Sequence, residues 1–273
     1  MCIRDRLEHK VRQLLDQQEE NGFALNLKDA MVLNAQLSDE LYELEQWSLQ
    51  TFEPTIIELK TKTKEIPFNI ASRQQIGQRL MDRGWKPTVR TEKDHVVVNE
   101  AVLKTITEPE LIPLAKKFIR YFLIQKRSVM ISSWINACRD DGRVHGKVMT
   151  LRTVTGRMAH HSPNMAQIPA VYSEYGKECR SLWTVSNTDT HKLVGTDASG
   201  LELRCLAHYL RDDNYTEEIL NGDIHTKNME LAGIKDRDQA KTFIYAFLYG
   251  AGSEKIGSIL AVSYTHLTLP TIY

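Results

Sequence analysis

The chain has 273 residues with 35 basic and 35 acidic side chains, so its formal net charge is zero; 42% of it is hydrophobic and 26% charged, as in an ordinary globular protein. No apolar run approaches the roughly 18 residues of a membrane span, and with charge from Arg4 onward no secretory signal is expected. Cys2, Cys138, Cys179 and Cys205 lack C-x-x-C spacing, which speaks against a zinc site or disulfide framework and for a reducing cytoplasm. In chain order, Leu7, Val11, Leu14 and Leu15 share a helical face, and Asn21-Gly22 reads as its stop. A second helix begins near Lys28, carries Leu33, Leu37, Leu41 and Leu44, and ends before Pro54. Residues 54–67, rich in Thr and Lys, read as a linker or loop. Ser72 should cap a short helix through Ile76 and Leu80, stopped at Gly84.

From Pro109 a long amphipathic helix should reach about Ala137, with Leu114, Phe118, Phe122 and Val129 inward. "DGRVHGKV" reads as a hairpin, followed by short strands up to one that ends at Asp197. The next helix should bury Leu201, Cys205 and Leu206. A last strong helix opens at the D-x-x-Q box Asp236–Gln239 and runs to Tyr249, and another begins at Ser253. The sum is α+β, a helical half followed by a mixed half. Residues 1–6 and 261–273 do not continue the pattern and resemble translated adapter sequence rather than native protein.

Charge is unevenly placed. Between Gly142 and Ser173 there is no Asp or Glu, while Arg143, Lys147, Arg152 and Arg157 stand there with His145, His160 and His161. Such a stripe suits either a phosphate-binding face or an ordinary solvated loop. Within it Arg157, Asn164 and Gln167 could donate to the acceptors that every base pair presents in the minor groove.

"GTDASGLELR" admits two readings. A strand ending in Asp197 would aim a carboxylate past a sheet edge, and Ala198, Ser199 and Gly200 leave room for a ligand at the backbone. Alternatively, Ser199 to Glu202 is a helix-capping box. On the last strong helix Arg237, Lys241 and Tyr245 recur every fourth residue and Tyr249 follows, one broad face of two cations and two phenols. Phe243, Ile244, Phe247 and Leu248 supply the apolar face instead. Cations followed by rings suit a ligand with phosphates at one end and a flat base at the other. Asp223 reads as an N-cap with His225 in the following turn, placed to join the same phosphate site. No GxxxxGK[ST] loop is present, and "YGAGSEKIG" lacks GxGxxG spacing.

"TGR…PNMAQIP", "DASGLELRCLAHYL", "NGDIHTKN" and "RDQAKTFIYAFLYGAGSEKIG" resemble, in order, the motifs of family A DNA polymerases, and more closely those of short-tailed phages than bacterial DNA polymerase I. "FNIASRQQIGQRLMDRGWKPT" and "YFLIQKR" resemble the thumb and the approach to the palm, and the likeness covers roughly residues 7–260. It implies a partial right-hand fold: a helical thumb over 7–137, part of an antiparallel-sheet palm over 138–232 and the start of helical fingers over 233–260. It implies that Asp197 is a catalytic carboxylate binding two Mg2+ ions, with the Ala198 carbonyl on one of them. Lys241 is then catalytic as well as nucleotide-binding, and Glu202, His225, Arg237, Tyr245 and Tyr249 complete the nucleotide site. Glu202 matches a gate against the ribose 2′-hydroxyl and bonds the tyrosine matching Tyr249; Tyr245 matches a position linked to weak rejection of dideoxynucleotides. Arg157, Asn164, Gln167, Tyr249 and Gly250 would touch primer–template DNA.

The likeness has departures. No exonuclease region precedes the thumb, so proofreading is not expected, and the short stretch from Trp47 to Phe68 leaves no place for a thioredoxin-type processivity partner. The second metal carboxylate belongs to a His-Asp-Glu motif, and no such tripeptide occurs here. The expectation is therefore an inactive piece of an active parent, working with deoxynucleoside triphosphates and primer–template DNA in a host-cell cytoplasm, with no membrane. A non-catalytic primer–template binding module is the alternative; salt-dependent duplex binding is expected of both. A single-subunit RNA polymerase would want a small residue in place of Glu202.

Overall fold

The computed structural model describes residues 7–58, 63–231, 233–234 and 236–260; both terminal stretches read as foreign lie outside these. The chain divides into two compact units, Met1–Leu193 and Val194–Tyr273. The first contains α1 (His9–Asn21), β1 (Phe23–Leu25), α2 (Leu27–Thr51), β2 (Thr55–Glu58), β3 (Thr63–Ile66), α3 (Arg73–Met81) and α4 (Glu100–Leu103). It continues with α5 (Ile112–Ala137), β4 (Arg143–Val144), β5 (Lys147–Met149), β6 (Ala159–His161), α6 (Gly176–Ser181) and β7 (Trp183–Thr184). The second holds α7 (Leu201–Leu210), α8 (Asp213–Asn221), α9 (Ile224–Leu231), α10 (Arg237–Leu248) and α11 (Ser253–Leu260). This is the α+β arrangement expected, although the unit boundary falls inside 138–232.

Local signals set the helix ends. Gly22 closes α1 with a φ of +59°, and a Cβ there would meet Val144 O at 2.9 Å, so conformation and space both demand glycine. Ser72 caps α3 by accepting from Gln75 N, and Asp236 caps α10 by accepting from Gln239 N. The inward faces differ from the sequence expectation. Leu14 on α1 and Val129 on α5 are exposed, whereas the buried stripe of α5 runs through Ala115, Phe118, Tyr121, Ile124, Ile131 and Trp134. A one-dimensional stripe fixes which residues could face inward, and the neighbour decides which do. For α5 that neighbour is antiparallel α2: Ser128 and Ser132 donate to Asn34, Arg120 to Glu40 and Tyr121 to Glu45.

Two apolar clusters lie along this pair. One stacks Phe52 on Phe68 (centroids 4.4 Å) and Phe118 (5.8 Å), with Trp47 edge-on to Phe118. The other gathers Leu33, Leu37, Ile131, Trp134, Val144 and Leu182.

The strands correct the sequence reading most. Residues 54–67, expected as a linker, contain the antiparallel hairpin β2–β3, with Thr55 opposite Ile66. "DGRVHGKV" is not a hairpin on itself: β4 pairs with β1 and β5 pairs with β6. β1, not foreseen, is the centre of the sheet β4-β1-β7, with Phe23 opposite Val144 and Leu25 opposite Trp183. The turn at 139–143 does fold back locally, with Arg139 N donating to Arg143 O and an antiparallel bridge between Cys138 and Val144, but the ladder partner of β4 is β1, far back along the chain. The strand expected to end at Asp197 does not form: residues 191–198 have no regular secondary structure.

Candidate functional site

The second unit opens on backbone without regular secondary structure, where Val194, Asp197 and Ala198 are exposed. Gly200 then adopts a φ of +60°, so α7 starts at Leu201 rather than at Gly200. That shift displaces Ser199 one position outside the cap, and its side chain caps nothing; the capping-box reading fails for this reason. Instead the Ser199 carbonyl accepts from Arg204 Nε at 2.8 Å. The helix buries Leu203 and Ala207, half-buries Leu206 and leaves Leu201 and Cys205 exposed, because two apolar stripes compete on its surface.

A cavity of about 340 Å³ opens beside this turn, with Ser199, Gly200 and Arg204 on one side and His225, Arg237, Lys241 and Tyr245 on the other. The every-fourth-residue spacing on α10 thus places two cations and a phenol on one wall. Sequence reasoning missed Arg204, a third cation, because it stands out only once the turn brings α7 alongside. Phe243 and Phe247 stack at 6.4 Å, and both are half-buried.

Asp223 does more than cap α9. Its Oδ1 accepts from His225 N and Thr226 N, and its two oxygens accept from Arg237 Nη2 (3.0 Å) and Nε (2.8 Å). The Arg237 hydrogen bonds, with Thr226 second, hold the Asp223 carboxyl well below the usual carboxylate range. Burial first, then the charges of Arg237 and Lys241, push the His225 imidazole down from its ordinary value. Its ring lies 6.0 Å from that of Tyr245, and Nδ1 is shielded without a hydrogen-bond partner among the described residues. Burial, then the charge of Glu202, raises the Tyr245 phenol. Tyr249 at the end of α10 donates to Glu202 Oε1 at 2.8 Å, so the two residues paired by the sequence resemblance do meet.

Asp197 and Ala198 offer a carboxylate and a carbonyl, hard oxygens of the kind Mg2+ takes. They are two donors only, and no group of three or more His, Cys, Asp or Glu converges on a metal position among the described residues. The fit is sound in chemistry and short in number.

In the first unit, Arg157, Asn164 and Gln167 are all exposed. The turn carrying Arg157 is closed by Thr153 Oγ1, which accepts from Arg157 N at 2.8 Å, and Asn164 Oδ1 accepts from Ala166 N. The basic stripe is partly structural. Arg143 donates to the carbonyls of Asn21 and Gly22, and His145 bridges Glu19 O and Asp141, which ties β4 to the end of α1. Lys147, Arg152 and Arg157 remain at the surface. Behind this region Arg120 binds Glu40, Glu174 and the Tyr175 hydroxyl, a network with no signal in the sequence pattern.

A family model described as DNA polymerase family A matches residues 35–267. A DNA-directed DNA polymerase of Escherichia phage T7 is 44% identical over 219 residues, covering 73% of this chain and 30% of the phage protein. The thermostable DNA polymerase I of Thermus aquaticus is 27% identical over 274 residues, 94% of this chain and 30% of that protein. This chain therefore spans under a third of the length of either relative. Among solved structures, the POL domain of Pol1 from M. smegmatis, in complex with DNA primer-template and dNTP, matches with a TM-score of 0.76 at 21% identity, over 95% of this chain and 45% of that one. That likeness shows the fold. No helix among the described residues is long and apolar enough to cross a membrane.

Proposed function

Because this chain belongs to DNA polymerase family A, we propose that it is a piece of a template-directed DNA polymerase whose α9–α10 cavity receives a deoxynucleoside triphosphate. In this reading residues 7–137 are thumb, 138–232 part of the palm and 233–260 the start of the fingers. The supporting observation is the cavity wall: Arg237 and Lys241, then Tyr245, with His225 beside the phenol. Phosphates would lie against the cations and His225, and the base toward the tyrosine end. Glu202, held by Tyr249, would crowd a ribose 2′-hydroxyl. Lys241 would neutralise charge that develops on the phosphates as the bond to the leaving pyrophosphate breaks, the main electrostatic task in phosphoryl transfer.

Asp197 and the Ala198 carbonyl would hold Mg2+ beside this site. The chemistry such a metal pair would supply is activation of a primer 3′-hydroxyl and stabilisation of the leaving pyrophosphate. With one such carboxylate and no His-Asp-Glu tripeptide in 273 residues, this chain by itself is not expected to extend a primer. Arg157, Asn164 and Gln167, with Tyr249 and Gly250, would face primer–template DNA, in the cytoplasm of a host cell.

Titration calorimetry with dATP tests the nucleotide reading. Saturable binding by the chain, at least about tenfold weaker in Lys241→Ala, is expected from loss of one charge-assisted phosphate contact. No binding, or equal binding by the variant, overturns it.

A further inference from the structure

We propose that Asp223 is a positioning residue for the nucleotide: it fixes the Arg237 guanidinium so that its remaining N–H donors face the phosphates. This rests on the nucleotide reading above and extends it to a residue outside the cationic set.

The carboxylate is itself immobilised. Oδ1 accepts from His225 N at 3.1 Å, Thr226 N at 3.4 Å and Arg237 Nη2 at 3.0 Å. Oδ2 accepts from Thr226 Oγ1 and Arg237 Nε, both at 2.8 Å. An ionised carboxylate offers about four lone-pair sites, so these donors leave little freedom to turn. Arginine's planar fork then transmits the constraint, since two fixed contacts define the plane of the whole guanidinium. Side-on engagement through Nε and Nη2 leaves both Nη1 hydrogens unspent, and Nη1 has no hydrogen-bond partner among the described residues. Asp223 and Arg237 line the same cavity, with Lys241 one turn further along α10.

Electrostatics alone points the other way. A negative charge 2.8 Å from the guanidinium should repel an incoming polyanion, so removing it should tighten binding. Positioning and charge subtraction therefore differ in sign for Asp223→Asn. Asparagine is as good an N-cap as aspartate, so α9 keeps its start, but its single acceptor oxygen cannot hold both prongs of the fork. Asp238, in the first turn of α10, gives a charge-matched control: it faces solvent, and its side chain makes no hydrogen bond among the described residues.

The experiment is calorimetric titration of inorganic tripolyphosphate and of dATP into the full chain and into Asp223→Asn and Asp238→Asn, at neutral pH and low salt, with thermal melts confirming that each variant is folded. Expected is binding about tenfold weaker for Asp223→Asn, the low end of what loss of an orienting outer-shell partner costs at metal sites, while Asp238→Asn binds as well as or better than the parent. Equal or tighter binding by folded Asp223→Asn overturns the positioning role alone. Absence of binding by the parent chain overturns the nucleotide reading and this role with it. Should Asp223→Asn melt early, Asp223→Glu replaces it; its extra methylene moves the fork, and unweakened binding by that variant also overturns the proposal.

Discussion

The surroundings of His225 disfavour its protonated form. Burial and the two neighbouring cations lower its pKa below the ordinary imidazole value of about 6.5. An entering polyanion screens Arg237 and Lys241 and so favours imidazolium. Nucleotide binding should then take up a proton between the lowered pKa of the empty site and the higher one of the filled site, and His225's share of affinity should grow as pH falls through that window. Calorimetry in buffers of different ionisation enthalpy measures this uptake directly. The expected result is net proton uptake that His225→Gln abolishes; identical uptake by parent and variant would remove His225 from the phosphate site. The cation face of α10 and the cap at Asp223 were legible because helical spacing and capping are local. The grip of Asp223 on Arg237 was not, since two residues separated by a whole helix meet only after α9 and α10 pack.

At the level of elements, α5 divides sharply into a face that carries stability and one that does not. Phe118 is fully buried among Trp47, Phe52 and Phe68, whereas Val129 on the same helix is 65% exposed. Phe118→Ala should cost about 3–5 kcal/mol through lost burial and the cavity left behind, and Val129→Ala less than about 0.5 kcal/mol. Denaturant unfolding checks both, and a comparable loss from the two would contradict the packing described. Helix bounds were readable from Ser72, Gly22 and Asp236, each a residue whose chemistry ends or begins a helix. The inward face of α7 was not. Its sequence is apolar on two sides, and only the packing of the second unit selects Leu203 and Ala207 over Leu201 and Cys205.

Across the whole molecule, a net charge of zero conceals local concentration: cations line the cavity in the second unit and stand exposed along β5 and the turn at Arg157 in the first. Averaged charge therefore says little about polyanion binding here, and position says more. Sheet topology shows the same limit of sequence reading. β1 joins strands from beyond residue 140, and its three residues carry no alternation long enough to announce a strand. The family motifs escaped this limit because their order, rather than any single pairing, carried the signal. The nucleotide reading requires α10 to hold phosphates at its cation end and a base at its tyrosine end. Photolabelling the chain with an azido-purine deoxynucleoside triphosphate, followed by tryptic mapping, reads the base end directly. Saturable label is expected on the peptide from Thr242 to Lys255, which contains Tyr245 and Tyr249, with loss of that label when dATP competes. Saturable label confined to any other peptide would contradict it.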